Sequence, residues 1–290
     1  MLWLIPGFGI REHMMLRRIL NDKQLTAGII GLLLLLFVII AAPWLAKFDP
    51  FDYGSDVLVQ PGVNGHLLGT NHLGQDILSM IIFGTRTSLK VAVISALISG
   101  VIGVLIGAAA GYFGGIVDQI FSEVINVFMM LPIFFLILLI IALFGSSILN
   151  VMIVIGITTW PSNAKLMRAQ ALSLRERTYV KSAKVLGEDN ARILFKYIIP
   201  NGIFPVVANT TVGMANAILT EAGLSFLGLG DPNVISWGQM IFAGKAYITS
   251  AWWVATFAGV AIIITVTIFY LLGDGLNHVL NPKQFYKREV

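Results

Sequence analysis

Residues 178–201 read TYVKSAKVLGEDNARILFKYIIPN, a charged, helix-like stretch in a chain of 290 residues that is 57% hydrophobic and only 12% charged. The pattern predicts one helix that ends at Gly187, because glycine adopts positive φ readily, and the Glu-Asp-Asn that follows is an N-terminal signal for a second helix. Pro200 is expected to end the second helix. Its charged side is expected to comprise Glu188, Arg192 and Lys196. We expect this segment to lie outside the hydrocarbon region of a membrane.

The composition around this stretch is typical of an all-α integral membrane protein. Charged residues are too few for an ordinary soluble domain. The chain also contains no cysteine, which excludes disulfides, thiolate metal sites and cysteine nucleophiles.

Six apolar stretches are long enough, or nearly so, to cross about 30 Å of hydrocarbon. They occupy residues 25–46, 89–112, 117–143, 148–160, 202–223 and 252–272. The fourth is short because Pro161 interrupts its apolar run, and the sequence leaves open whether the helix continues past that proline.

Lys and Arg residues are distributed unevenly between the segments that flank these stretches. Of the 19 in the chain, four precede residue 25, eight lie within 165–200 and three follow residue 280. The positive-inside rule therefore places both termini and the 165–200 segment in the cytoplasm.

The predicted organisation has five parts. They are a cytoplasmic arm (1–24), a first transmembrane helix (25–46), an extracytoplasmic loop (47–86), a five-helix core (87–276) that includes the cytoplasmic segment 165–200, and a cytoplasmic tail (277–290).

The outer loop contains His66 and His72, which could suggest a metal site. Their spacing fits no standard ligand pattern, and hydrogen bonding within the loop is the favoured interpretation. We expect no metal site in this chain.

Two patterns within the predicted spans involve small or polar residues. Gly103, Gly107 and Gly111 share one face of a helix and predict close helix packing, either within the subunit or at a subunit interface. Asn209, Gly213, Asn216 and Thr220 share a face of the fifth span. Because polar groups in a bilayer face protein or water, this stripe either joins helices or lines a translocation path.

The energy source for transport is not apparent in the sequence. No G-x-x-x-x-G-K-[ST], G-x-S-x-G or H-E-x-x-H motif is present, which disfavours nucleotide binding through a P-loop and disfavours an enzyme. The carboxylates within or beside the spans are Asp118, Glu123, Glu221 and Asp274. All four lie near span ends, which argues against a proton- or ion-coupled transporter.

Several stretches together resemble the dipeptide, oligopeptide and nickel permease family of ABC importers. KSAKVLG followed by YIIP is similar to the family's cytoplasmic loop pattern, with Lys181 where the family often has Glu. Further similar stretches are HLLGTNHLGQDILSMIIFGTRTSL, GYFGGIVD, EAGLSFLGLGDP, SWGQM, AWWVATFAGVAI and LLGDGLNHVLNPK. The resemblance covers about residues 15–284 and is to the subunit type with a large outer loop after the first span.

The resemblance implies a multi-pass permease of the cell membrane with six spans and a type I ABC importer-like fold. It implies a second homologous permease, two ABC ATPase subunits that bind ATP and Mg, and an extracytoplasmic substrate-binding protein, with no cofactor on this chain and no nucleic acid. It further implies that the ATPases contact a coupling loop formed by Tyr179, Lys181, Ser182, Ala183, Gly187, Glu188, Arg192, Tyr197 and Pro200.

We therefore expect a permease for dipeptides and oligopeptides that works by alternating access. Relatives in this family also carry nickel chelates, metallophores or oligosaccharides, and these cargoes remain alternatives. An intramembrane enzyme or a membrane scaffold is the alternative from another class.

Overall fold

The computed structural model describes residues 22–280, and all regular secondary structure within this range is helical. Parts of the predicted N-terminal arm (1–21) and tail (281–290) lie outside the described residues. The α-helices are α1 Lys23–Leu45, α2 Ile77–Phe113, α3 Gly115–Met130, α4 Ile133–Phe144, α5 Ile148–Leu174, α6 Thr178–Val185, α7 Asn190–Ile193, α8 Ile199–Gly202, α9 Phe204–Phe226, α10 Trp237–Gly244 and α11 Trp253–Leu280.

Three of these helices, α1, α2 and α11, are individually long and apolar enough to cross a membrane. Two further pairs qualify only when each is taken as one bent span: α3 with α4, bent by 84°, and α7–α8 with α9, bent by 61°. The described chain thus has up to five spans by length and composition, and the count of six stays a prediction.

Helix α2 begins earlier than the apolar pattern indicates, within the stretch predicted to be a loop. Asp76 is its N-cap, with a side-chain oxygen that accepts hydrogen bonds from the Ser79 N–H at 2.8 Å and the Ser79 hydroxyl at 2.8 Å. This cap fixes the helix start at Ile77. His66 Nδ1 forms a hydrogen bond with Asp76 Oδ1 of the same carboxyl group at 2.9 Å, and its ring stacks on Phe48. His66 therefore takes part in hydrogen bonding within the loop.

Helix α5 continues through Pro161 for 13 more residues to Leu174, which resolves the question that the sequence left open. The prediction that Pro200 ends a helix is wrong. A π-helical turn at Leu194–Ile198 precedes Pro200, which therefore falls in the first turn of α8. Backbone N–H groups in a first turn have no partner within the helix, so proline, which lacks an N–H, is tolerated there. The chain instead breaks at Ile203, ahead of another proline at the start of α9.

The buried core lies mainly between α1, α2, α9, α10 and α11. Trp237 and Met240 of α10 are 1% exposed and pack with buried side chains of α2, α9 and α11. A second cluster joins α4, α5 and α9. Many large apolar side chains on the outer faces of α1, α3, α4 and α11 are exposed, as expected for helices that contact lipid.

Candidate functional site

A cavity of about 610 Å³ lies between α2, α4, α5 and α9. None of the described residues that line it is charged. Its polar lining consists of Ser95 and Ser99 from α2, Thr159, Ser162 and Asn163 from α5, and Asn209, Thr210, Asn216 and Thr220 from α9. Apolar side chains of α4, including Phe134 and Ile137, complete the wall. The cavity therefore offers hydroxyl and amide groups beside apolar surface, without a fixed charge.

Asn163 joins three of the four helices around this cavity. Its Oδ1 accepts from Asn209 Nδ2 at 2.8 Å and from Thr210 Oγ1 at 3.3 Å, and its Nδ2 donates to Ser99 Oγ at 3.1 Å. The residue is 3% exposed, so these protein partners replace water around its amide. Sequence reasoning missed Asn163, because it follows Pro161 in a stretch predicted to lie at the end of a span.

All four residues of the predicted α9 stripe line the cavity. Asn209 also bonds to α5, while Asn216 Oδ1 accepts from the Tyr270 hydroxyl of α11 at 3.1 Å. Thr220 Oγ1 donates to the Asn216 carbonyl within α9, and no heavy atom lies within 4 Å of a Cβ placed on Gly213. The stripe thus both joins helices and faces the open space.

Gly103, Gly107 and Gly111 lie on α2 directly against α5. A Cβ placed on Gly107 would come within 2.3 Å of the Ala164 carbonyl oxygen, and one on Gly111 within 2.5 Å of the Arg168 carbonyl oxygen. The close approach allowed by these glycines is between two helices of the same chain.

The segment between α5 and α9 contains the predicted bend. Gly187 has φ +81° at the end of α6, and a Cβ there would meet no atom within 4 Å. Asp189 then caps α7, because its side chain accepts from the N–H groups of Ala191 and Arg192. The bend and the new helix start are confirmed, and both arise from local backbone preferences.

This segment has one buried face and one exposed tip. Ala183 is buried with Val180 and with the apolar residues of α7 and the π-helical turn, against α2 and α5. Val185 and Leu186, just before the bend, are 87% and 83% exposed. These two large apolar side chains lie at a tight turn and are exposed to solvent. Such a surface is suited to contact with another protein.

Glu188, placed by the sequence on the charged side of the second helix, instead bonds within the segment. Its Oε1 accepts from the Tyr197 hydroxyl at 3.0 Å. Lys181 lies on the exposed surface, with its Nζ 3.0 Å from Glu176 Oε2. This hydrogen-bonded ammonium group, with the neighbouring Arg175, lowers the pKa of the Glu176 carboxyl below its usual value.

Charged contacts fix the end of α5 that leads into this segment. Arg168 donates from Nε and Nη2 to the two carboxylate oxygens of Asp118 in α3, with Nη2 2.8 Å from Oδ2. Arg175 Nη1 donates to the Gly111 carbonyl of α2 at 3.0 Å. No local pattern signals these pairs, because the partners are 50 or more positions apart.

Within residues 22–280, no cluster of three His, Asp or Glu side chains is arranged to hold a metal ion. His72 stacks on Tyr247 rather than pairing with a carboxylate.

A helical membrane protein with an uncharged polar cavity and an exposed apolar tip has the features of a transport permease. The chain belongs to the family described as "Binding-protein-dependent transport system inner membrane component", whose model matches residues 103–286. It is a component of the inner membrane.

Named relatives are similar over most of their length. The dipeptide transport system permease protein DppC of Escherichia coli (strain K12) is 39% identical over 270 residues, covering 91% of this chain and 90% of the relative. The di/tripeptide transport system permease protein DppC of Pseudomonas aeruginosa is 34% identical, covering 91% and 89%. The predicted kinship with this group of ABC importer permeases is confirmed.

A solved structure shares the fold at low sequence identity. The MetNI methionine ABC transporter, in inward-facing conformations, matches with a TM-score of 0.54 and 18% identity over 70% of this chain and 97% of the other. The type I importer permease fold is thereby confirmed.

Proposed function

We propose that this chain is the permease subunit of an ABC importer that moves dipeptides and oligopeptides into the cytoplasm by alternating access. The observation that carries the proposal is the uncharged cavity, lined by hydroxyl and amide groups. Peptides of different sequence share only their backbone amides and termini. A lining that offers hydrogen bonds without a fixed charge can accept many such peptides without selecting one side chain.

The names of the relatives support peptides as cargo, since those proteins are described as dipeptide and di/tripeptide permeases. Nickel chelates, metallophores and oligosaccharides remain alternative cargoes of the same transport mechanism. In this proposal a second homologous permease completes the path, and an extracytoplasmic binding protein delivers the cargo.

The energy is proposed to enter through the coupling loop, residues 165–200. Two ATPase subunits, which bind ATP and Mg, would contact the exposed tip at Val185 and Leu186 on the cytoplasmic side. The segment packs by Val180, Ala183 and Ile193 against α2 and α5. Since α2 and α5 also line the cavity, a displacement of the segment by the ATPases would be transmitted to the cavity walls through these packed side chains.

The proposal is tested by reconstituting the chain in liposomes with the second permease, the ATPases and the binding protein of the proposed complex. We expect ATP-dependent uptake of labelled di- and tripeptides, and competition by unlabelled peptides. Uptake of a nickel chelate or an oligosaccharide, with no uptake of peptides, would assign the alternative cargo. No ATP-dependent uptake of any of these would reject the function.

The docking site is tested separately by co-purification of the ATPases. Leu186→Glu places a charge on the exposed tip and should release the ATPases, whereas Leu67→Glu, on the 70% exposed Leu67 of the outer loop, should not. Equal retention of the ATPases by both variants would contradict the proposed contact.

A further inference from the structure

The carboxyl group of Glu221 is buried one residue beyond Thr220, which lines the cavity on α9. Glu221 is 3% exposed. Its Oε1 accepts hydrogen bonds from the Ser225 hydroxyl at 2.8 Å and the Ser236 hydroxyl at 2.8 Å. Among residues 22–280, no Lys, Arg or His forms an ion pair with it. A buried carboxyl held only by two hydroxyls is costly in a membrane protein, and the function proposed above does not use it.

The two hydroxyls differ in what they connect. Ser225 lies four residues along the same helix, so its bond stays within α9. Ser236 is the N-cap of α10, where its Oγ also accepts from the Gln239 N–H at 3.1 Å. The bond from Ser236 to Glu221 therefore fastens the first turn of α10 to α9.

The next residue, Trp237, fastens the same turn to α2. Its indole Nε1 donates to the Ile81 carbonyl at 3.1 Å, and its backbone N–H donates to Ser88 Oγ at 3.4 Å. Trp237 is 1% exposed. Two consecutive residues, the N-cap and the first residue of α10, thus link α9 and α2, which are two of the walls of the cavity.

The packing around this link is close. A Cβ placed on Gly238 would come within 2.8 Å of Ser225 Cβ and 3.0 Å of Glu221 Oε2, and one on Gly84 within 3.2 Å of the Trp237 ring. The three helices are therefore closely packed at this end. Separation of α2 from α9 here is opposed by the hydrogen bonds of Ser236 and Trp237.

We propose that Glu221 is a positioning residue of the transport cycle. Through Ser236 it holds the start of α10 against α9, and so sets the separation of α2 and α9 at the end of the cavity beside Thr220. Opening of the cavity at that end requires the bond between Ser236 and Glu221 to break. This inference rests on the proposed transport function.

Four variants distinguish loss of the hydrogen bond between Ser236 and Glu221 from the loss of any hydrogen bond to Glu221. Ser236→Ala and Glu221→Leu both remove the bond between α9 and α10, and Glu221→Leu leaves the Ser236 cap in place. Ser225→Ala is the matched control, because it removes a donor to the same oxygen but leaves the link. Glu221→Gln is the conservative variant, since its amide oxygen can accept from both hydroxyls.

The separation of the two helices is measured by pulsed electron spin resonance. Because the chain has no native cysteine, spin labels attached to it at Lys90→Cys on α2 and Leu227→Cys after α9, before its partners are added, report only those sites. The full chain, with the partners that accompany it, is placed in lipid nanodiscs. We expect Ser236→Ala and Glu221→Leu to roughly double the width of the distance distribution, by populating a second arrangement. Ser225→Ala and Glu221→Gln should give the same distance distribution as the labelled chain that has no substitution at Glu221, Ser225 or Ser236.

A second readout is the number of peptides taken up per ATP hydrolysed. We expect this ratio to fall at least about threefold in Ser236→Ala, the scale of a modest coupling free energy, and to be unchanged in Ser225→Ala. The proposed role of Glu221 would be overturned if all four variants gave the same distance distribution. It would also be overturned if Ser225→Ala broadened the distribution as much as Ser236→Ala and Glu221→Leu do. The distance measurement needs no transport, so its result stands even if the complex takes up no peptide and the proposed function fails.

Discussion

Asn163 Oδ1 accepts a hydrogen bond from Asn209 Nδ2 at 2.8 Å, and this contact joins α5 to α9 beside the cavity. The two residues are 46 positions apart. Through its Nδ2, Asn163 also reaches Ser99 of α2 at 3.1 Å. One amide thereby joins three helices, α2, α5 and α9.

Asn163→Leu should lower stability because it leaves Asn209 and Ser99 without their partner. Interhelical hydrogen bonds in membranes are worth about 0.6 kcal/mol each on average, and three are lost, so we expect a loss of about 1–3 kcal/mol. Unfolding of the purified chain in mild detergent measures it. Thr211→Val is the control, since the Thr211 hydroxyl donates within α9, to the Val207 carbonyl. Equal stability of the two variants would refute the role of Asn163.

Asn216→Leu should slow peptide uptake while leaving the complex assembled, because an amide that faces the cavity is replaced by an apolar group. Uptake kinetics in liposomes measure the effect, for which we expect roughly a tenfold loss, the equivalent of about 1.4 kcal/mol. Tyr270→Phe is the matched control, since it removes the hydrogen bond to Asn216 and keeps the cavity lining. If both variants slow uptake equally, Asn216 serves packing.

Gly187→Val should destabilise the bend by about 1–3 kcal/mol, because a β-branched residue is strained at φ +81°. No atom lies within 4 Å of a Cβ there, so the cost is conformational and not steric contact with the rest of the chain. Binding of the ATPase subunits to the reconstituted permease measures it, and we expect weaker binding. Gly259→Val provides the comparison, since Gly259 in α11 has the same open space without a positive φ. Wild-type binding by the Gly187 variant would show that the bend is not needed for docking.

Acid should loosen the start of α5 through Asp231. Burial raises the pKa of the Asp231 carboxyl, but hydrogen bonds from the Asn233 and Ile148 N–H groups and from the Asn233 amide outweigh burial and hold the pKa below its usual value. A carboxyl with a depressed pKa contributes stability above its unfolded pKa and loses that contribution as the pH falls through its folded pKa.

The stability of wild type should therefore be unaffected by Asp231 between about pH 5 and 8 and fall below about pH 4. Asp231→Asn, which cannot titrate, should lose less stability over that acid range. Thermal unfolding of both proteins between pH 3 and 7 measures the difference. Parallel curves for the two proteins would contradict the assignment.

Local features were predictable from the sequence. Gly187 and Asp189 act through backbone preferences of their own neighbours, and the α9 stripe follows from helical periodicity alone. The prediction for Pro200 failed because a proline ends a helix only where its N–H would have been used, and the π-helical turn before it moved Pro200 into a first turn.

Features that depend on distant partners were not predictable. Asn163 and Ser99 are 64 positions apart and Trp237 and Ile81 are 156 apart, so no local pattern signals either contact. The sequence places Glu221 near the end of a span and nothing more. Its link to α10 depends on a partner, Ser236, that lies 15 positions away in another segment.

The π-helical turn at Leu194–Ile198 lies between the exposed tip and α9. Its bonds run from residue i to i+5, as from the Ile199 N–H to the Leu194 carbonyl, so it holds one residue more than an α-helical turn. Ile193 and Ile198, five positions apart and both fully buried, consequently face the same side. Conversion to an α-helical turn would rotate one side of the chain by about 100° relative to the other and displace it by about 1.5 Å along the axis. The turn thus contains one extra residue, and deleting the exposed Phe195 should convert it to an α-helical turn and change the angle between the tip and α9.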